Sequence, residues 1–378
     1  MPALRLLIYV AVCVLLVGGC GGDVSPSSAD ANRPAPTVAK VDLVIGVAEG
    51  EAPYMFGRIG GVVADAQNRM IVTDTQGDVV RAYDADGTYL FDVATAGEGP
   101  GEVDTPCCPA VGPEGALWIR DDQNRRYLRF RVDAEGAMPD GQIRMSHQAF
   151  GRAARTTFDA NGYLIDVGNA QHNGGVRTMR FHRSIGNETM HEQPIPEAPG
   201  GRLSVQEVDI EGGKVFIPQP FGSRALDAHA PNSDWAFAIT DRYEVIRYNA
   251  DGDTLHVIEH DVDGPALSDD ERERARRSLQ RYTDTYGVAT SELAFGVPDR
   301  KPPIDRIFFD AQSHLWVQRS MPDNTPNEAD VYDTEGALVK IVQWPNGVAL
   351  HQGYLLDDTL YGTQTTEDGV PQVVRLQM

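Results

Sequence analysis

The sequence predicts an all-β fold, a six-bladed β-propeller with one short helical insertion, behind a lipoprotein signal peptide and a flexible tether. The first observation is a recurring phrase: an apolar strand, a turn, a second apolar strand and, about nineteen residues later, an Asp-Gly or Glu-Gly turn. The phrase occupies residues 62–72 with 83–87, 111–119 with 132–136, and 307–317 with 332–336. Repeats of this length built from strands and tight turns are typical of radially repeated sheets.

The second observation is the spacing of the repeats, which sets the number of blades at six. Asp65 and Asp159 are 94 residues apart, or two units of about 47, and Asp310 lies about five units after Asp65. The predicted blades span 59–93, 109–143, 155–195, 205–262, 304–344 and 348–376. The sixth lacks a strand, and Val41–Ile45 is expected to complete it. Such closure joins the chain ends and removes exposed sheet edges.

A helical insertion is predicted at about residues 266–287, between the fourth and fifth blades. Ser268 stands three residues before Glu271, the spacing of a capping box, and Gly287 ends the pattern. An apolar stripe at helical spacing consists of Ala275, Leu279, Tyr282 and Tyr286. The stripe indicates a helix packed on one rim of the propeller; the alternative is a lid over the central pocket.

The N-terminus carries a predicted processing signal, residues 1–19. Its apolar run, Leu6–Leu16, is too short to span a bilayer. The following Val17-Gly18-Gly19-Cys20 resembles a bacterial lipobox, which implies cleavage before Cys20 and lipidation of Cys20. Residues 20–40 are rich in Gly, Ser, Pro, Ala and Asp and are expected to form a tether. The predicted location is the bacterial cell envelope, on the periplasmic or outer-membrane side, with the membrane as a partner through the lipid.

The charge of the chain is strongly acidic and excludes some partners. The net charge is −22, and it becomes −23 after cleavage because Arg5 is the only charged residue removed. This balance argues against nucleic acid and against electrostatic binding to anionic lipid.

Two cysteines remain in the predicted folded part, and they are adjacent. Cys13 leaves with the signal and Cys20 is lipidated, so Cys107 and Cys108 are left. Neighbouring cysteines cannot link distant strands, but outside the cytoplasm they can form a vicinal disulfide that acts as a stiff turn or an apolar platform. The alternative is a pair of free thiols at the start of a strand.

The loop Gly97–Glu102 and the preceding Tyr83-Asp84-Ala85-Asp86-Gly87 resemble the six-bladed β-propeller lipoprotein family related to NHL-repeat proteins. That family has an aromatic residue after the loop, where this chain has Val103. The resemblance covers most of the mature chain and implies the fold. It leaves the activity open, because NHL-like propellers include binding scaffolds, lyases and lactonases.

Two groups of charged residues are candidates for a ligand-binding face. The first group belongs to the Gly-rich loop, where Glu98 or Glu102 is placed at the mouth of the central channel; the alternative is a tight crossover between blades. The second group is a basic cluster around the third blade that suits an anion such as a carboxylate or sugar acid, or else a solvated ion-paired face. This cluster consists of Arg152, Arg155, Arg180, His182 and Arg183.

Motifs that imitate metal sites do not predict one. His256-Val257-Ile258-Glu259-His260 reads like an inverted zinc-protease motif, but it alternates like a strand, on which residues four apart are separated by about 13 Å. Asp84-x-Asp86-Gly87 reads as a hairpin turn rather than a calcium loop. No cofactor is predicted, and a calcium or zinc ion in the channel would need ligands from several blades.

Three functions are compatible with these observations. The first is a non-catalytic binding or scaffold module for an envelope protein, peptide or glycan. The second is a metal-dependent, lactonase-like hydrolase or a lyase with its site in the central channel. The third is a carbohydrate-binding module with Trp118, Trp235 and Trp316 as stacking platforms.

Overall fold

The described residues form six mainly antiparallel sheets arranged radially, a separate two-stranded hairpin and a single α-helix, which is the all-β, six-bladed propeller that was predicted. The structure is a computed structural model that describes residues 33–145, 155–197, 204–351 and 358–378. Pro34–Met378 form one compact unit. The predicted signal peptide and Cys20 lie outside the described residues.

The first two blades follow a pair of short N-terminal strands, β1 (Thr37–Val38) and β2 (Lys40–Ile45). Blade 1 contains β3 (Ile59–Ala64), β4 (Met70–Asp74), β5 (Val79–Tyr83) and β6 (Tyr89–Ala96), with β7 (Glu102–Val103) added in parallel to β6. Blade 2 contains β8 (Pro106–Val111), β9 (Leu117–Asp121), β10 (Arg126–Val132) and β11 (Ala137–Arg144).

The third and fourth blades are separated by a hairpin. Blade 3 contains β12 (Leu164–His172), β13 (Gly175–Arg183) and β14 (Thr189–Pro194), and on its inner side the described residues form a bridge between Phe158 and Leu164. The hairpin is β15 (Val205–Ile210) and β16 (Gly213–Pro218). Blade 4 contains β17 (Ala225–His229), β18 (Trp235–Ile239), β19 (Tyr243–Tyr248) and β20 (Thr254–His260). The prediction that blade 4 begins at Val205 was therefore wrong.

The last two blades carry the closure of the ring. Blade 5 contains β21 (Ile304–Phe309), β22 (Leu315–Arg319), β23 (Asn327–Tyr332) and β24 (Leu338–Trp344), and β1 adds to it in parallel. Blade 6 contains β25 (Ala349–Leu350), β26 (Thr359–Thr365) and β27 (Pro371–Gln377), completed by β2. The predicted N-terminal strand of the sixth blade is thus present. Because β1 already begins at Thr37, the fold starts within the residues assigned to the tether.

The repeated aspartates shape the turns of each blade. At the inner turns, the Asp65, Asp159 and Asp310 carboxylates each accept two backbone N–H groups, from the residues two and four positions later. Asp84 and Asp333 do the same at outer turns. An Asp side chain that caps its own turn explains why the phrase recurs from blade to blade.

Apolar side chains fill the space between adjacent blades rather than one central core. Each of six buried clusters joins two neighbouring blades; for example, Trp316 and Trp344 of blade 5 pack with Leu360 and Val374 of blade 6. The blades are therefore buried on both faces, and the axis is left for other side chains.

The single helix, α1 (Asp269–Tyr286), has the predicted ends. Ser268 Oγ accepts the Glu271 N–H while the Glu271 carboxylate accepts the Ser268 N–H, and Gly287 ends the helix with a φ of 67°. The expected stripe was half wrong: Ala275 and Leu279 are buried, but the inner face continues to Thr283. Tyr282 and Tyr286 are 37% and 39% exposed, because they lie one position off the i, i+4 row.

The helix packs on the β15–β16 hairpin. Leu279 shares a buried cluster with Val215, Ile217 and Val288. The packing partner is therefore this hairpin, and the described residues that line the central cavity come from the blades and not from α1. Within the described residues, no helix is long and apolar enough to span a bilayer.

Candidate functional site: the central cavity

A cavity of about 430 Å³ lies where the inner strands of the six blades converge. Its volume is in the range of small-molecule sites. The lining residues are Gly60, Gly61 and Val62 of blade 1, Cys108 and Pro109 of blade 2, Arg155, Thr156 and Thr157 of blade 3, Arg224, Ala225, Leu226 and Asp227 of blade 4, Asp305 and Arg306 of blade 5, and Leu350 and His351 of blade 6.

Three arginines form a cationic wall on the cavity: Arg155, Arg224 and Arg306. Each donates a hydrogen bond to a backbone carbonyl on the inner strand of the next blade. Arg155 Nη1 donates to Asp227 O, Arg224 Nη2 donates to Asp305 O at 2.6 Å, and Arg306 Nη1 donates to Leu350 O at 2.7 Å. One N–H edge of each guanidinium therefore links two blades, and these hydrogen bonds hold the wall in place.

Arg306 differs from its neighbour Arg224 in charge compensation. Arg224 Nη2 lies 2.7 Å from Asp305 Oδ1, so that arginine is ion-paired. Within the described structure, no carboxylate lies in ion-pair contact with Arg306. Burial lowers the pKa of Arg306, as does the charge of Arg224, while Asp305 raises it. A desolvated, unpaired guanidinium on a cavity wall is suited to bind an anion.

His351 stands beside Arg306 as a neutral imidazole. Burial and the Arg306 charge lower the pKa of His351 to about 4. Its Nε2 lies 2.9 Å from Thr363 Oγ1, which fixes the ring. The residue therefore adds a polar but uncharged group to the cavity at neutral pH.

A buried polar seam adjoins the cavity between blades 3 and 4. Arg180 is 1% exposed and stacks over the Trp235 ring at 4.0 Å, and its Nε and Nη2 have no hydrogen-bond partner within the described structure. His229 is also buried, and its pKa is lowered to about 3 by burial and by Arg180. Both residues interact electrostatically with Asp227 on the cavity wall. Positive charge thus extends behind blade 4's inner strand.

The opposite side of the cavity is a sulfur wall, formed by Gly60, Gly61, Val62, Cys108 and Pro109. Cys107 and Cys108 are joined in a disulfide in the structure. The disulfide lies in β8 where the pairing with β9 shifts register, and Cys108 has a φ of 56°. This wall carries no charged side chain.

The predicted basic cluster separates into different places. Arg155 lines the cavity and Arg180 lies in the seam. His182 Nδ1 lies 2.6 Å from Asp159 Oδ2, and Arg183 Nη2 donates to Asn187 O at 2.9 Å, so both serve blade 3 itself. Arg152 lies outside the described residues.

The predicted position of Glu98 and Glu102 at the channel mouth does not match the structure. Their loop follows β6, the outer strand of blade 1, and so it runs along the periphery. Glu98 is exposed, while Glu102 accepts the Gly99 N–H at 2.8 Å. Arg126 Nη2 donates to the carbonyls of Gly99 and Glu102. The loop is a crossover between blades, which was the alternative interpretation.

The three tryptophans considered as sugar platforms are also not available. Trp118, Trp235 and Trp316 are 5%, 1% and 2% exposed and belong to the packing between blades. A strand residue that faces the next blade is buried whatever its chemistry.

Arg224, Arg306 and His351 were not found from the sequence. A signal was present for Arg306, which stands four residues before the inner-turn aspartate Asp310. Arg155, which was found, stands at the same distance before Asp159. The same position in blade 1 is Gly61, before Asp65. Alignment of the repeats on these aspartates therefore identifies one position that lines the axis in each of blades 1, 3 and 5.

The described residues do not fit a metal site. No group of three or more His, Cys, Asp or Glu side chains in residues 33–145, 155–197, 204–351 and 358–378 converges closely enough to hold an ion. The acidic residues of the cavity, Asp227 and Asp305, lie on different blades beside arginines.

Comparisons with known proteins give no family. No family model and no curated protein matches this chain. Similar solved structures include a Bacteroides fragilis protein described as exported (8% identity, 90% of this chain and 95% of that chain, TM-score 0.48). A virginiamycin B lyase from Staphylococcus aureus is 10% identical, with 90% of this chain and 99% of that chain covered and a TM-score of 0.40. A gluconolactonase from Xanthomonas campestris is 14% identical, with 89% of this chain and 98% of that chain covered and a TM-score of 0.33. At this distance no activity is transferred to this chain.

Proposed function

We propose that this protein is a binding module of the bacterial cell envelope whose central cavity takes a small organic acid through its carboxylate. Arg306 is the observation that carries the proposal, because its half-buried guanidinium lies on the cavity wall and has no ion-paired carboxylate in the described structure. A ligand carboxylate would compensate that charge, and a guanidinium already held by Leu350 O needs little reorganisation to bind it.

The extracytoplasmic location is part of the proposal. The Cys107–Cys108 disulfide supports it, since disulfides persist in oxidising compartments. The Val17–Cys20 sequence supports a lipid anchor at Cys20, which positions the propeller at a membrane surface. Retention of the chain in the membrane after Cys20→Ser would overturn the anchor.

The experiment is isothermal titration calorimetry with D-glucuronate, using uncharged methyl glucoside to test the need for a carboxylate. The wild type should bind glucuronate and not the glucoside. Arg306→Gln should weaken binding by roughly thirtyfold or more, as expected for removal of one partner of a desolvated ion pair. Arg131→Gln, which replaces an exposed arginine paired with Asp140 on blade 2, is the matched control and should leave the affinity unchanged.

A metal-dependent hydrolase or lyase in the same channel is the alternative. The described cavity offers two carboxylates and one imidazole, which are the right ligand types but do not converge. A rise in melting temperature with calcium or zinc, together with metal-dependent turnover of a sugar lactone, would favour that alternative. Carboxylate binding that is unchanged by a chelator would favour the binding module.

A further inference from the structure

The two sides of the cavity have opposite chemical character. In a six-membered ring of blades, blade 1 lies across the axis from blade 4, and blade 2 lies across from blade 5. The sulfur wall of blades 1 and 2 therefore faces Arg224 and Arg306 of the cationic wall. A ligand whose carboxylate lies at Arg306 presents its opposite side to the disulfide and to the bare backbone of Gly60 and Gly61.

Close packing fixes the sulfur wall in place. A Cβ at Gly60 would lie 2.3 Å from Thr75 Oγ1 and 2.9 Å from Pro106 O, and one at Gly61 would lie 2.5 Å from Pro109 Cδ. The disulfide segment therefore fits against blade 1 only because both residues are glycine. The result is a closely packed, uncharged surface that presents Cys108, Pro109 and the backbone of the two glycines to a ligand.

Polar groups between the two walls suit hydroxyls. Thr156 is 7% exposed, and its Oγ1 is a buried hydroxyl without a hydrogen-bond partner within the described structure. Thr157 and Asp305 also line the cavity. The Thr156 hydroxyl is enclosed in this structure, so the hydroxyls of a ligand would meet the half-exposed Thr157 and Asp305 on the cavity lining. An unsubstituted aryl acid such as benzoate has no hydroxyls to offer there.

We infer that the ligand is a sugar acid in its ring form, a uronic acid, whose C–H face lies on the Cys107–Cys108 disulfide while its carboxylate binds Arg306. The inference rests on the proposed function and names its ligand class. An open-chain sugar acid carries the same charge and similar hydroxyls, but it has no flat apolar face. The disulfide is therefore the element that distinguishes ring from chain.

The test compares two acids on three proteins by calorimetry. Methyl β-D-glucuronoside is locked as a ring, and D-gluconate is an open chain. The wild type should bind the ring at least about tenfold more tightly. The double variant Cys107→Ala/Cys108→Ala should reduce this preference to nearly one, whereas Arg306→Gln should weaken both acids and leave the preference intact. Benzoate tests the ring without hydroxyls and should bind more weakly than the glucuronoside.

The outcomes separate the two proposals. If neither acid binds, or if Arg306→Gln changes nothing, the proposed function fails. If both acids bind through Arg306 with equal affinity, or if the preference survives loss of the disulfide, only the ring inference fails. If the double variant does not fold, saturation-transfer NMR on the wild type is the deciding measurement. Saturation of the ligand is expected mainly at the C–H protons on one face of the sugar ring. Uniform saturation of the ligand protons would overturn the inference.

Discussion

At the scale of single residues, three arginines from consecutive blades line the axis of this propeller. Arg155, Arg224 and Arg306 each hold a carbonyl of the next blade, so their positions follow from the fold. Charge compensation is incomplete at Arg306 and Arg180, and that incompleteness is what favours an anionic ligand. Residue type alone did not reveal this, because exposure and ion pairing depend on the neighbouring blade.

The buried imidazole of His229 predicts that the protein becomes less stable in acid. Burial lowers the pKa of His229 from 6.5 to about 3, so the unfolded chain binds a proton between these values and the folded protein does not. The free energy of unfolding should therefore fall as pH decreases below 6.5, by about 1.4 kcal/mol per pH unit from this residue. Urea unfolding of the wild type and His229→Gln at pH 5, 6 and 7 measures the slope.

The control for that slope is His191→Gln, which replaces an exposed histidine of blade 3. Its slope should match that of the wild type, whereas the slope of His229→Gln should be smaller. Equal slopes for His229→Gln and the wild type would show that His229 does not remain neutral in the folded protein.

At the scale of elements, the repeated turns and the helix ends could be predicted because their signals are local. Asp65, Asp159 and Asp310 cap their own turns, and Ser268 with Glu271 forms a capping box from residues three apart. The β15–β16 hairpin was assigned to blade 4 because its alternation resembles a blade strand. In the structure it forms a separate two-stranded sheet that packs against Leu279 of α1.

The helix cap supports a prediction at this scale. Ser268 Oγ accepts the Glu271 N–H and also donates to Asp323 Oδ2 at 2.9 Å, so Ser268→Ala removes both bonds. The free energy of unfolding should fall by about 1–2 kcal/mol. Thr285→Ala, at an exposed position near the end of the same helix, is the matched control and should change it by less than about 0.5 kcal/mol. An equal effect from both variants in urea unfolding would refute the role of the cap.

At the scale of the whole molecule, the N-terminal strands close the ring. β2 pairs with β27 to complete blade 6, and Asp42 lies 2.8 Å from Arg375 across this pairing. β1 covers the edge of blade 5. The closure by β2 could be predicted, because a sixth unit that lacks one strand needs a partner. The pairing of β1 could not be predicted, because a two-residue strand has no sequence pattern of its own.

Truncation tests the closure. A chain that begins at residue 46 lacks both strands, exposes the edges of β24 and β27 and loses the burial of Ile45, which is 3% exposed. It should be less stable by more than about 3 kcal/mol and should associate through the free edges. A chain that begins at residue 34 keeps both strands and is the control. Melting temperature and size-exclusion chromatography measure the two effects, and identical behaviour of the two chains would contradict the closure.

The central claim is that the axis holds a carboxylate at Arg306, and a crystal structure of the propeller with glucuronate tests it most directly. The account predicts the carboxylate within hydrogen-bond distance of the Arg306 guanidinium, inside the cavity between the cationic and sulfur walls. Density for the acid on an outer surface of the propeller, with the axis filled only by water at saturating ligand, would contradict it.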